Sequence, residues 1–129
     1  MFLAVGFLMP FEWLVSEEAI SAGLEETDGA QRAVISMESY KFTPHEIVAQ
    51  VGIPLELTLQ NDSFLVPHNF LLDSPDGKRL MEVGVASGES QNVHLTFTEP
   101  GIYPFYCDKQ LWFFPSHREQ GMEGRIIVR

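Results

Sequence analysis

Cysteine is almost missing from this sequence of 129 residues, which contains only one, Cys107. A single thiol excludes an intramolecular disulfide framework as the source of stability. It also leaves a side chain that must be buried, reactive or bound to a metal. The surroundings of Cys107 are therefore the first place to look for function.

Positive charge is also scarce. The 8 Lys and Arg residues stand against 18 Asp and Glu residues, which gives a formal net charge of −10 at pH 7. Nucleic acid is excluded as a favoured partner, because its binding needs a basic surface that displaces counterions. The acidic balance instead favours a basic protein partner, or simply high solubility.

An apolar run long enough to cross a bilayer is missing as well. Residues 1–22 form an apolar N-terminal segment, but Glu12 interrupts it and no basic residues lead it, as they would in a secretory signal. We expect either a signal or signal-anchor remnant, which would be a possible membrane tether, or a short extension that packs on the domain. Residues 23–32 carry acids and glycines and are predicted to be a polar linker. This leaves residues 33–129 as a single globular domain.

No long stretch shows apolar residues with the 3.6-residue period of a helix. Apolar residues instead alternate with polar ones, with a period of two. The clearest case is 55–59, where leucines alternate with polar residues, and 93–97 repeats the pattern. Closely spaced turn signals separate such runs, which is typical of an antiparallel β-sandwich. Helix is expected only as one turn within 78–85 and another in the loop 107–117.

Soft or borderline metal donors are present in one region. Cys107 is followed by His117 ten positions later and by Met122 after another five, and His68 offers a second imidazole. Two imidazoles, a thiolate and a weak axial thioether are the donor set of blue copper sites. Taken singly, a lone Cys after an aromatic strand is usually a small buried apolar residue, and a loop His is usually solvated. The combination, in order, favours a copper site.

These residues lie in a pattern that resembles the cupredoxins, the blue copper proteins, over about residues 33–129. The pattern consists of Tyr40-x-Phe42-x-Pro44, Gly52, Asn61, His68-Asn69-Phe70, Thr96-Phe97, Pro100-Gly101-x-Tyr103-x-Phe105-x-Cys107, His117 and Gly121-Met122-x-Gly124. The resemblance implies an all-β, Greek-key antiparallel β-sandwich with little helix. It further implies one copper ion, cycling between Cu(I) and Cu(II), with the ligands His68, Cys107, His117 and Met122. Asn69 would hold the two ligand loops together and hydrogen-bond near the thiolate.

The long interval between Cys107 and His117 looks especially like the type 1 copper domain of copper nitrite reductases. However, the loop has no second cysteine for a dinuclear centre, and no histidine stands beside Cys107, as catalytic copper centres in the family require. The chain is therefore expected to be an electron-transfer protein and not an enzyme. The alternatives are an extracytoplasmic copper chaperone or buffer, an accessory cupredoxin subunit of a larger redox complex, or an interaction domain without metal. The resemblance also implies a periplasmic or otherwise extracytoplasmic location.

The loop between Cys107 and His117 contains a run of large apolar residues, Leu111, Trp112, Phe113 and Phe114. Such a run has little reason to be in a solvated loop, so it either closes the end of the sandwich or faces a partner. On the second interpretation these residues frame His117 and form the docking surface for a redox protein partner, such as a cytochrome or a copper enzyme.

Overall fold

The structure, a computed structural model, describes residues 25–110 and 115–129. This part of the chain folds into ten strands and contains no helix. In chain order the strands are β1 (Glu25–Thr27), β2 (Ala30–Glu38), β3 (Lys41–Thr43), β4 (Glu46–Ala49), β5 (Leu55–Asn61), β6 (His68–Asp73), β7 (Arg79–Val85), β8 (Ser90–Leu95), β9 (Gly101–Tyr106) and β10 (Glu123–Val128).

The strands form two five-stranded sheets. The first has the order β1-β2-β5-β8, with β3 paired to β2, and the second has the order β4-β10-β9-β6-β7. The predicted β-sandwich is confirmed, but each sheet is mixed and not purely antiparallel. Strand β2 pairs in parallel with β5, and β10 pairs in parallel with β4. The chain from β2 to β5 passes through β4 in the other sheet, and the chain from β4 to β10 passes through β5 and β8 in the other sheet.

The core lies between the two sheets and is built from the alternating apolar residues that the sequence shows. Leu55, Leu57 and Leu59 on β5 are at most 1% exposed, and Ile35 and Met37 on the neighbouring β2 are fully buried. Burying a side chain of this size contributes about 1.5–3 kcal/mol to folding. The opposing sheet supplies aromatic side chains, which surround the site described below.

Two turn positions explain hairpins that the period-two pattern does not reveal. Asp28 and Gly29 have φ values of 53° and 78°, and Ser39 and Tyr40 have φ values of 51° and 62°. Pairs of left-handed residues form the two-residue turn that matches the twist of antiparallel strands. The first turn joins β1 to β2, and the second joins β2 to β3.

The structure differs from the predicted polar linker 23–32, because residues 25–27 and 30–32 are strand. Gln31 is 1% exposed. Its side chain donates to the carbonyls of Gln50 and Ile53 and accepts from the backbone N–H of Gln50. A polar residue can therefore belong to the core when every one of its polar atoms has a partner.

The helical turn predicted within 78–85 is wrong, because this segment is β7. Met81, Val83 and Val85 point toward the core side of the strand, with Glu82 and Gly84 between them. The strand is short, and Leu80 beside Met81 interrupts its period of two, so the apolar pattern also fits one helical turn. The other helical turn was predicted in the loop 107–117, where residues 111–114 lie outside the described residues. No helix in the described residues is long and apolar enough to cross a membrane.

Candidate metal centre

Cys107 directly follows β9, at the end of the sandwich. Tyr103, Phe105 and Cys107 alternate along the chain and all face the core, and Cys107 is fully buried. Successive side chains of a strand point to opposite faces, so positions two apart share one face. The strand therefore carries the thiol into an apolar interior, as the sequence predicts.

His68 is the first residue of β6, which pairs with β9 in the same sheet. The register places Leu71 opposite Tyr106 and Leu72 opposite Phe105. Because the strands are antiparallel, the beginning of β6 lies beside the end of β9. His68 is 1% exposed, so this imidazole is buried near the thiol and is not a solvated loop side chain.

His117 and Met122 are held close to Cys107 by backbone hydrogen bonds. The N–H of His117 donates to the carbonyl of Lys109 at 2.7 Å, and the N–H of Met122 donates to the carbonyl of His117 at 3.0 Å. The N–H of Cys107 donates to the carbonyl of Met122 at 3.2 Å. Gly121 has a φ of +100°, a left-handed conformation that favours glycine and allows the chain to turn back before Met122.

The three strong donor atoms form a small triangle. His68 Nδ1 and His117 Nδ1 are 3.1 Å apart, and Cys107 Sγ lies 3.8 Å from the first and 3.4 Å from the second. A first-row ion held about 2.0 Å from each nitrogen and about 2.3 Å from the sulfur would need edges of about 3.5 Å in a trigonal arrangement. The donor triangle therefore has the size and the donor types of a His₂Cys site.

Met122 completes the predicted ligand set by position. Its side chain is fully buried, and its backbone bonds to both Cys107 and His117. A thioether is the donor that would be expected at the weak fourth position of a His₂Cys copper site. The role of Met122 as the axial ligand stays a prediction.

Burial controls the protonation of the donors. Desolvation, followed by the proximity of His117, lowers the pKa of His68 to about 4. Desolvation also lowers the pKa of His117 and raises the pKa of the Cys107 thiol, against the opposing effect of the backbone N–H groups of Asn69 and Lys109. Both imidazoles are therefore neutral at pH 7, with lone pairs available. The thiol keeps its proton until a metal replaces it.

Asn69 lies where the resemblance placed it, between the two ligand segments. Its backbone N–H donates to Cys107 Sγ at 3.3 Å. Its side chain donates to the carboxylate of Asp108 at 2.7 Å and accepts from the backbone N–H of Asp108 at 3.0 Å. These contacts tie the beginning of β6 to the residue after Cys107 and place a hydrogen-bond donor at the sulfur.

Aromatic rings cover the core side of the centre. The ring of Phe105 lies 5.0 Å from those of Phe42 and Phe70, and these side chains are at most 2% exposed. The ring of Phe105 leaves no room for a side chain at Gly124 on β10. A Cβ added at Gly124 would lie 2.5 Å from the Phe105 ring and 2.3 Å from the carbonyl oxygen of His45. Water is excluded from this side.

Sequence reasoning missed three polar or aromatic contacts of the histidines and of Asn69. Ser63 Oγ lies 2.8 Å from His68 Nε2, and Asp108 binds Asn69 as described. Tyr40 packs edge-on against His117, with ring centroids 4.9 Å apart. Tyr40 belongs to the motif that carried the resemblance, but its contact with His117 depends on the left-handed turn at 39–40. The neighbouring turn pair Asn61-Asp62 is the only sequence signal near Ser63.

The outer surface of the centre is partly apolar. A cavity of about 250 Å³ lies between Tyr40 and Phe64 and reaches His68. Phe64 and Leu65 are 84% and 76% exposed. The predicted docking residues, Leu111, Trp112, Phe113 and Phe114, lie outside the described residues.

The remaining histidines do not join the centre. His45 and His94 are both exposed. Over residues 25–110 and 115–129, the group of potential ligands that could hold a metal ion consists of His68, Cys107 and His117, whose ligand atoms all lie within 4.8 Å of one another.

The sequence from residue 4 to residue 128 matches the family model of the cupredoxin-like domain. The chain is 28% identical over 99 residues to the chloroplastic plastocyanin minor isoform of Arabidopsis thaliana, an alignment that covers 70% of this chain and 52% of that protein. It is 25% identical over 93 residues to plastocyanin A/B of Petroselinum crispum, covering 67% of this chain and 86% of that protein. The chain thus spans about half the length of the Arabidopsis relative.

Solved structures give the same fold. Reduced auracyanin from Roseiflexus castenholzii superposes with a TM-score of 0.64 at 17% identity, covering 76% of this chain and 96% of that chain. The reduced state of an amicyanin mutant superposes with a TM-score of 0.52 at 28% identity, covering 81% and 87%. The finer likeness to nitrite reductases stays a prediction. Because the family match extends over nearly the whole sequence, the chain belongs to the family of cupredoxin-like domains.

Proposed function

We propose that this chain is a mononuclear type 1 copper protein that carries one electron at a time between redox partners. The observation that carries the proposal is the buried triangle of His68 Nδ1, His117 Nδ1 and Cys107 Sγ. It is supported by family membership and by likeness to plastocyanin and amicyanin. The proposed ligands are His68, Cys107, His117 and Met122.

Copper, when bound, supplies a metal that gains and loses a single electron. The chain's own residues keep the surroundings constant. Backbone hydrogen bonds fix Cys107, His117 and Met122 relative to one another, and Asn69 fixes β6 against the residue after Cys107. Ligands that are held in place cannot rearrange much when the charge changes, which favours fast electron exchange.

Burial of the ligands also favours the carrier over the alternative of a copper chaperone or buffer. His68, Cys107, His117 and Met122 are at most 7% exposed. A site that hands its metal to another protein needs ligands that the other protein can reach. Electron transfer needs only the edge of one ligand near the surface, and His117 lies beneath the half-exposed ring of Tyr40.

The partner side of the proposal follows from charge and apolar surface. The net charge of −10 favours a redox protein with a basic surface, such as a cytochrome or a copper enzyme. We propose that residues 111–114 contribute to docking, and that the exposed Phe64 and Leu65 do so as well. An extracytoplasmic location, with residues 1–22 as a signal or tether, belongs to the same proposal.

The test is the visible spectrum. Loading with Cu(II) should produce an intense thiolate-to-copper charge-transfer band and a small copper hyperfine splitting in electron paramagnetic resonance. A mild one-electron reductant should bleach the band, and reoxidation should restore it. Cys107→Ser should lose both signals, because the band requires the thiolate. His94→Gln, which removes an exposed imidazole outside the centre, should keep them.

A colourless wild-type protein that still binds Cu(II) would overturn the carrier proposal and favour the chaperone or buffer. A wild-type protein that binds no copper would favour the remaining alternative, an interaction domain without metal. If the band appears but electrons are exchanged only within a larger assembly, the chain would be an accessory subunit of a redox complex.

A further inference from the structure

The nitrogen of His68 that faces away from the donor triangle has a specific partner. Ser63 Oγ lies 2.8 Å from His68 Nε2, at the base of the cavity beside Tyr40. His68 is 1% exposed. Since a buried imidazole nitrogen without a partner would be destabilising, this contact decides which form of the ring is favoured.

The direction of this hydrogen bond follows from the second contact of the hydroxyl. Ser63 Oγ also lies 3.5 Å from the carbonyl oxygen of Met37, a long contact in which the hydroxyl is the donor. A carbonyl oxygen can only accept, so this contact favours the arrangement in which the hydroxyl proton points to Met37 and a lone pair points to His68. In that arrangement His68 Nε2 carries the ring proton, and Nδ1 keeps a lone pair that faces Cys107 and His117.

The loop that carries Ser63 is fixed independently of the histidine. The Asn61 side chain accepts from the backbone N–H of Ser63 at 2.9 Å and donates to the carbonyls of Val66 and Val85. Ser87 Oγ donates to the carbonyl of Ser63 at 2.6 Å and accepts from the N–H of Leu65. The hydroxyl is therefore held in place before any metal binds.

We propose that Ser63 is a positioning residue that holds His68 in its Nε2–H tautomer and so directs the Nδ1 lone pair into the metal centre. The proposal rests on the proposed function, since it assigns Nδ1 of His68 as a copper donor. Outer hydrogen bonds of this kind fix both the tautomer and the orientation of a ligating ring. Ser63 does not itself touch the metal.

The first experiment uses the metal-free protein, so its result does not depend on copper chemistry. Long-range ¹H–¹⁵N spectra at pH 7 report which imidazole nitrogen carries the proton. The wild type should show His68 as the Nε2–H form. In Ser63→Ala the Nδ1–H share should rise about fivefold, the factor that one lost hydrogen bond is worth.

Two further variants separate positioning from loop structure. Ser63→Thr keeps a hydroxyl at the same atom and should restore the wild-type tautomer. Ser87→Ala removes two hydrogen bonds from the same loop but none from His68, so its tautomer should stay unchanged. Dispersed amide spectra would show that each variant is folded.

The second experiment measures Cu(I) and Cu(II) affinity by chelator competition. Ser63→Ala should bind copper about tenfold more weakly, the lower end of the range for outer hydrogen-bond partners of metal ligands. Ser63→Thr should stay close to the wild type. An unchanged tautomer and affinity in Ser63→Ala would overturn the proposal, as would an equal loss in Ser87→Ala. Failure of the carrier function would show separately, as a wild-type protein without the charge-transfer band.

Discussion

Acid should lower the unfolding free energy of the metal-free protein through protonation of His68. A variant without this imidazole should not show this part of the loss. The pKa of His68 falls from an ordinary value of 6.5 to about 4 because the folded protein buries the ring beside His117. The unfolded chain therefore binds a proton between these two pH values, and the folded chain does not. The free energy of unfolding must rise with pH in that window.

The magnitude follows from the shift. Each pKa unit corresponds to about 1.4 kcal/mol, so a shift from 6.5 to about 4 gives a loss of up to about 3 kcal/mol as the pH falls from 6.5 to 4. This is an upper figure, because a protonated ring that admits water recovers part of the energy. Above pH 6.5 the contribution of His68 is complete and does not change with pH.

The assay is urea unfolding of metal-free protein at several pH values from 7.5 to about 4.5. His68→Gln removes the titrating group, and the difference between the two proteins cancels the carboxylates that both contain. The expected result is a difference in unfolding free energy that is constant above pH 6.5 and falls by about 1.4 kcal/mol per pH unit below it. Parallel curves for the two proteins over the whole range would refute the assignment of a buried, neutral His68.

Two further predictions concern neighbours of the centre. The copper-loaded Met122→Leu variant should keep its colour. Its reduction potential in voltammetry should be higher, because the substitution removes a weak donor to the oxidised metal. An unchanged potential would show that Met122 is not the axial ligand. Gly124→Ala should lower the unfolding free energy by about 3 kcal/mol, because its Cβ would lie 2.3 Å from the His45 carbonyl oxygen and 2.5 Å from the Phe105 ring. Gly84→Ala, whose Cβ would meet nothing within 4 Å, is the matched control and should change stability little.

The sequence predicts best where one local rule decides the structure. The alternation of leucines in 55–59 predicted a half-buried strand, and β5 shows that burial residue by residue. The donor types at 68, 107 and 117 likewise predicted side chains that the structure brings together. In both cases the residue type and the spacing carry the information.

Prediction fails where two distant segments must be known together. The acids and glycines of the 23–32 segment suggested a solvent-exposed linker. Gln31 is nevertheless buried, because its side chain donates hydrogen bonds to the carbonyls of residues 50 and 53. Strand β7 is short and Leu80 interrupts its alternation, so a helical turn fitted its apolar pattern equally well. The role of Ser63 depends on a loop geometry that Asn61 and Ser87 create. No pattern within one segment could indicate these contacts.

The interior position of β10 has a consequence for how the protein is made. Strand β10 lies between β4 and β9 and pairs with both. Before β10 emerges from the ribosome, β4 has no partner strand in its sheet. The edge of β9 that will pair with β10 is unpaired as well. The second sheet can therefore close only when the ligand loop and β10 have both been synthesised. Formation of the donor triangle and closure of the second sheet are therefore coupled, since the segment 107–128 contributes to both.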